Sequence, residues 1–296
     1  MLRIVSLIAS ATEIVHALGL GASQVGRSHE CDYPDSVRLL PVCTRPRFPI
    51  DGDSAAIDRN VKQTLSETGI LYEVFSDTLE SLAPTHILTQ TQCEVCAVSL
   101  QDVERAFSNR FSTRPQVVAT EPNSLTDIWA DIRRIGEACG VPARAEDVIE
   151  QLKDRMQRAS DRAAQSARVR VACIEWLEPL MAAGNWVPEL VEMANGTNLF
   201  GEPGKHSPWM TWEKLTAADP EVIIAMPCGF DLERTIVEMH WLTSRPGWDQ
   251  LSARVYAADG NAYFNRPGPR VVESLEMLSD MLHSDRTEGH GWRRLV

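Results

Sequence analysis

GVPARAEDVIEQLKDRMQRASDRAAQS, residues 140–166, decides how this chain is organised. Gly140, Val141 and Pro142 break the pattern that precedes them. From Ala145 to about Ser166 the spacing is helical, yet only Val148, Ile149, Leu152 and Met156 form an apolar stripe. A long helix with so thin a stripe lies across a surface or bridges two bodies, because it has too little apolar face to be a core element. Residues 141–167 are therefore read as a connector, with one lobe before it (1–140) and another after it (168–296).

Upstream, short apolar runs alternate with helical patterns. Strands are expected at 3–7, 24–27, 86–89 and 116–119, and helices at 11–18, 54–66, 100–109 and 125–138. Such alternation builds βαβ units and a mostly parallel sheet. Downstream the pattern resumes, with strands at 168–175, 221–226 and 255–257. Helices are expected at 188–194, 212–217, 232–240 and 269–283. The fold class is α/β: two lobes with central, mostly parallel sheets joined by one long helix, and a ligand cleft between the lobes. No internal repeat or low-complexity segment interrupts it.

Composition narrows the function. Of 296 residues, 44% are hydrophobic and 24% charged, so the chain can bury a sizeable core. The formal net charge of -12 argues against a nucleic-acid partner, since neutralising phosphates needs clustered Lys and Arg. No stretch approaches the roughly 20 apolar residues of a spanning helix, so membrane insertion is not expected. The apolar run behind Met1-Leu2-Arg3 is too short for a signal-peptide core. Seven cysteines, an odd number, make a disulfide framework unattractive. Both features lead to the expectation of a cytoplasmic protein, or a periplasmic one if this is a trimmed mature form.

Four segments carry a resemblance: Arg3 to Gly21, His29-Glu30-Cys31-Asp32-Tyr33-Pro34, Gly184-Asn185-Trp186-Val187-Pro188-Glu189-Leu190, and Asn265-Arg266-Pro267-Gly268-Pro269-Arg270. Their order and spacing, with the central helix, resemble class III periplasmic-type substrate-binding proteins, and most of all the cobalamin-binding branch. The resemblance implies binding of cobalamin or a related corrinoid between the lobes, for transport, storage or hand-over, without chemistry on the ligand. It implies an ABC importer or a corrinoid-using protein as partner. Haem or a siderophore is the alternative small-molecule metal chelate.

The residues themselves suggest where a ligand would sit. In open α/β sheets ligands lie beyond the carboxyl ends of the strands. In the first lobe this selects Ser10, the loop with His29, Asp32 and Tyr33, and the stretch from Thr89 through Gln92 to Cys96. Ser10 and Glu13 have capping-box spacing, which an ordinary helix start would also explain. His29, Cys31, Cys93 and Cys96 have the donor types of a zinc or iron–sulfur site. The same set could supply an axial ligand to a corrinoid cobalt, Cys93 and Cys96 could act as a redox pair, or the thiols could merely pack beneath a loop.

Seven of the eight tryptophans fall after Val171. Flat aromatic faces suit a broad, partly apolar macrocycle. Trp176, Glu178, Trp186, His206, Trp209, Phe230 and Arg266 follow strands or sit in loops, and are the candidate contacts of the second lobe. No Gly-x-Ser-x-Gly elbow, phosphate-binding Gly-rich Lys-Ser/Thr loop or His-Glu-x-x-His motif occurs, so a binding protein is expected rather than an enzyme.

Overall fold

A computed structural model describes residues 1–91 and 114–296. The strands are β1 (Ile4–Ser6), β2 (Gln24–Arg27), β3 (Thr44–Pro46), β4 (Tyr72–Val74), β5 (His86–Gln90), β6 (Gln116–Thr120), β7 (Val169–Trp176), β8 (Met181–Ala182), β9 (Gly196–Asn198), β10 (Val222–Ala225), β11 (Arg254–Ala258), β12 (Glu288–Gly289) and β13 (Trp292–Arg294). The helices are α1 (Ala9–Ala17), α2 (Ser54–Thr68), α3 (Ser76–Leu82), α4 (Leu125–Ala138), α5 (Pro142–Ala163), α6 (Val187–Met193), α7 (Trp212–Ala217), α8 (Leu232–Glu238), α9 (His240–Thr243) and α10 (Val271–His283).

The chain divides into two compact units. The first holds Met1–Gly52, Arg59–Pro122 and Thr126–Gln151; the second holds Asp53–Asp58, Asn123–Leu125 and Leu152–Val296. The helix α5 covers most of the expected connector, with its first half counted in unit 1 and its second in unit 2.

Unit 1 carries a four-stranded sheet in the order β2-β1-β5-β6, every pair parallel. All three residues of β1 are buried, as expected of a parallel strand covered on both faces. Val5, Leu7, Cys43, Leu71, Tyr72, Leu79 and Ile87 form the core on one side of that sheet. A separate antiparallel pair, β3 with β4, adds to it.

Unit 2 is built on a seven-stranded sheet. Its interior order is β11-β10-β7, parallel throughout, with β9 also parallel to β7. Antiparallel β8, β13 and β12 complete its margins. The run Val222-Ile223-Ile224-Ala225 is buried at every position. Ile174, Leu215, Ile223, Met239, Leu242 and Val255 belong to one continuous core there. The mixed α/β architecture with parallel sheet centres is thus the expected one. Among the described residues, no helix is long and apolar enough to cross a membrane.

The expected capping box at Ser10 and Glu13 is not formed. Helix α1 begins at Ala9, behind Ile8 in extended conformation, so Ser10 lies inside the first turn and both it and Glu13 are buried. The chain leaves β1 so abruptly that the helix starts before the residue that could have capped it. The expected helix at 100–109 lies outside the described residues.

Candidate ligand-binding site

In unit 1 the carboxyl ends of β1 and β2 present Ser10 and the loop from Ser28 to Pro34. His29 is fixed twice by one hydroxyl. Its backbone N–H donates to Thr44 Oγ1 at 3.2 Å, and its ring Nδ1 meets the same oxygen at 2.9 Å. The ring also lies 5.6 Å from that of Tyr72, tilted by 32°. Burial, with help from the Arg27 cation, pushes the imidazole pKa down to about 4. At neutral pH His29 is therefore an uncharged imidazole. Asp32 accepts from Arg38 Nε through its carbonyl at 3.2 Å, and its carboxylate lies 3.9 Å from the Arg38 guanidinium. Tyr33 is exposed beside them.

The zinc or iron–sulfur reading fails at Cys31. Its Sγ is fully buried beneath α1, 3.0 Å from the donating Thr12 Oγ1 and 3.2 Å from Ser28 Oγ, and it donates to the Ser6 carbonyl at 3.7 Å. Desolvation raises its pKa, so the group is a protonated thiol rather than the thiolate that binds metal. Cys43 is likewise buried, its pKa raised to about 11 by burial. Among the described residues, no group of three or more His, Cys, Asp or Glu side chains is disposed to hold a metal ion. Gln92, Cys93 and Cys96 lie outside the described residues.

In unit 2 the carboxyl ends of β7, β10 and β11 meet through loops. Trp176 and Phe230 stand 5.3 Å apart with their rings inclined by 51°. The Trp176 indole N–H donates to the Glu178 carbonyl at 3.1 Å, and the Glu178 carboxylate pairs with Arg245. Phe230 is only 2% exposed, and the Arg234 guanidinium lies 3.8 Å from the centre of its ring. Asp231 caps α8 by accepting the Arg234 amide at 2.8 Å, which places Arg234 one helical turn above Phe230. Asn261 donates to the Phe230 carbonyl at 3.0 Å, joining the turn after β11 to the same cluster. Buried Arg266 follows in that turn and acts electrostatically on Asp259.

The other candidates of unit 2 lie on the segments 186 and 206–209. Trp186 is 4% exposed at the start of α6, its indole N–H without a hydrogen-bond partner among the described residues. Trp209 is 57% exposed and forms an isolated bridge to Met181. Exposed His206 lies with Nδ1 3.0 Å from the Ser207 carbonyl. Ser207 itself is buried and locks the loop, donating to Glu175 at 2.8 Å and accepting the Gly184 amide at 3.0 Å. Sequence reasoning missed Thr44, Tyr72 and Arg234. Only the last left a signal, the Asp231-x-x-Arg234 capping pattern immediately behind Phe230.

The family model described as periplasmic binding protein matches residues 4–254. The chain belongs to the periplasmic binding protein family. Among its relatives is the vitamin B12-binding protein of Yersinia pseudotuberculosis, 23% identical over 284 residues, covering 95% of this chain and 86% of that one. Solved structures with the same fold include the periplasmic vitamin B12-binding protein BtuF of Vibrio cholerae, with TM-score 0.66 and 18% identity over 95% of this chain and 96% of the other. A periplasmic haem-binding protein from Pseudomonas aeruginosa superimposes with TM-score 0.70 at 17% identity, covering 99% and 98%.

Membership settles two expectations. The family binds solutes rather than transforming them, so this is a binding protein and not an enzyme. The expectation of a cytoplasmic protein is corrected, because the family and these neighbours are periplasmic. The cysteine argument behind it has a physical flaw: Cys31, Cys43, Cys139, Cys173 and Cys228 are all unpaired, and three of them are buried packing groups. Such thiols say nothing about the redox state outside the fold.

Proposed function

We propose that this protein binds cobalamin or a closely related corrinoid and delivers it to an ABC importer. The observation that carries the reading is the vitamin B12-binding relative aligned over nearly the whole chain, with the Trp176–Phe230–Arg234 cluster as its counterpart in chemistry. A corrin ring is a wide, flat, partly apolar disc. Indole and phenyl faces bury such a surface at little entropic cost, and a guanidinium stacked on the phenyl offers N–H donors to its polar edge. Trp176, Glu178, Phe230 and Arg266 are the proposed contacts of unit 2, and Ser10, His29, Asp32 and Tyr33 those of unit 1. Trp186, His206 and Trp209 are further proposed contacts of unit 2, the last two exposed on one loop. The metal of such a ligand belongs to the cargo and not to the protein.

The test is a titration with cyanocobalamin, dicyanocobinamide, haemin and a ferric siderophore, read by tryptophan fluorescence and by calorimetry. The expected result is binding of a corrinoid at about micromolar concentration or tighter, weakened about tenfold or more in Trp176→Ala. Absence of heat and of quenching with either corrinoid overturns the proposal. Binding of haemin more than about tenfold tighter than that of either corrinoid transfers the assignment to a different chelate.

A further inference from the structure

The hydroxyl of Thr44 has one proton to give and two lone pairs to offer. It is fully buried and accepts the backbone N–H of His29. Among the described residues the only acceptor within reach of its own proton is His29 Nδ1, at 2.9 Å. A buried hydroxyl left without an acceptor is costly, so the Thr44 O–H points at Nδ1. Nδ1 then acts as acceptor, and the ring proton of the neutral imidazole must sit on Nε2. That atom makes no hydrogen bond among the described residues. The Glu30 carboxylate lies 3.9 Å from it, and the side chain remains 22% exposed.

We propose that Thr44 holds His29 in its Nε2–H tautomer, so that His29 recognises an uncharged carbonyl oxygen on the rim of the ligand and does not coordinate the ligand's metal. This deepens the corrinoid reading and rests on it. An Nε2 that carries a proton has no lone pair for a cobalt or iron ion. It is a donor of fixed direction, held by the tilted contact with the Tyr72 ring and by two hydrogen bonds to one hydroxyl. The Glu30 carboxylate beside it sets the charge preference: an incoming carboxylate would meet a like charge, whereas a carboxamide carbonyl would not. Among the described residues, the charged and titratable groups recorded against the ring are Arg27, Glu30 and Tyr72. The Arg27 guanidinium is turned away to the carbonyls of Ser28 and Cys31, each at 3.1 Å.

Two measurements decide this. Long-range proton–nitrogen correlation spectra of the full chain assign the tautomer directly, with or without ligand. A proton on Nδ1 of His29 overturns the proposal. Titration with cyanocobalamin, whose rim carries carboxamides, is then compared in wild type, His29→Gln, which keeps an N–H donor, and His29→Leu, which does not. The expected loss is about tenfold for His29→Leu and no more than about threefold for His29→Gln. Equal affinity of His29→Leu and wild type overturns the ligand contact. So does a nitrogen-ligated cobalt spectrum from aquocobalamin that His29→Gln abolishes. If wild type binds neither corrinoid, the functional reading falls and the ligand contact falls with it, while the tautomer still stands or falls on the spectra.

Discussion

Replacing Gly184 with alanine should do more damage than any backbone preference would suggest. A Cβ at this position would come within 2.6 Å of the Lys205 carbonyl oxygen, 2.6 Å of the Ser207 amide nitrogen and 2.8 Å of the His206 carbonyl carbon. All three are backbone atoms, so no side chain can rotate out of the way. Relieving the contacts to an ordinary separation requires a shift of roughly 1 Å between residues 184 and 205–207, in a core packed to crystal-like density. Overpacking of that kind costs about 1–3 kcal/mol. The same shift strains the hydrogen bonds from Gly184 N to Ser207 Oγ (3.0 Å) and from Asn185 N to Lys205 O (2.7 Å), adding about 1 kcal/mol.

The loss expected for Gly184→Ala is therefore about 2–4 kcal/mol, measured by urea unfolding followed through tryptophan fluorescence. Gly204 supplies the control. It sits at φ +75°, where alanine is strained, but nothing lies within 4 Å of its Cβ position. Gly204→Ala should cost only about 1 kcal/mol. Because Gly184 supports the loop of His206 and Trp209, its variant should also bind ligand more weakly, while Gly204→Ala should bind nearly as wild type. If Gly204→Ala proves the more destabilising of the two, the steric reasoning is wrong.

Two further outcomes follow from buried polar groups. Glu238 accepts the Ser54 amide at 3.0 Å at the start of α2, where the Ser54 hydroxyl is already buried without a partner among the described residues. Glu238→Ala should cost about 2 kcal/mol in the same unfolding assay and Glu238→Gln, which keeps an acceptor, about half that; equal values would dismiss the role of the acceptor. The third outcome concerns acid. The His29 pKa is lowered to about 4 from 6.5, so below pH 6.5 the unfolded chain takes up a proton that the folded one refuses. Stability should fall between about pH 6.5 and 4, by up to about 3 kcal/mol, and His29→Gln should flatten that decline. A profile unchanged by the substitution would count against the buried neutral ring.

What could be read in the sequence is what local pattern dictates. Val222–Ala225 is a continuous apolar run and became a strand buried on both faces; the polar run after Gly140 became one long helix. The β3–β4 pair escaped notice because three residues containing Pro46 and three containing Glu73 show no alternation that marks a strand. Tryptophan was equally opaque as a type. Trp292 and Trp186 are buried, Trp209 is exposed, and Trp176 meets Phe230; nothing in the residue itself separates these fates, since each is set by an element distant in the chain.

The same distinction explains why the His29–Cys31 pair reads as a metal site on paper and as something else in the fold. Spacing supplies the donor types, but ligation requires a deprotonated sulfur and an imidazole lone pair, and both are decided by partners the spacing does not contain. Burial under α1 keeps the proton on Cys31, outweighing the hydrogen bonds with Thr12 and Ser28 that would favour the thiolate. Thr44 takes the lone pair at Nδ1. One residue downstream of the histidine, the Glu30 carboxylate then makes the remaining Nε2–H better suited to a neutral oxygen than to an anion. A sequence with valine at position 44 and the same His-x-Cys motif would leave Nδ1 without that donor. Its ring would be free to place the proton on Nδ1 and to offer Nε2 to a metal.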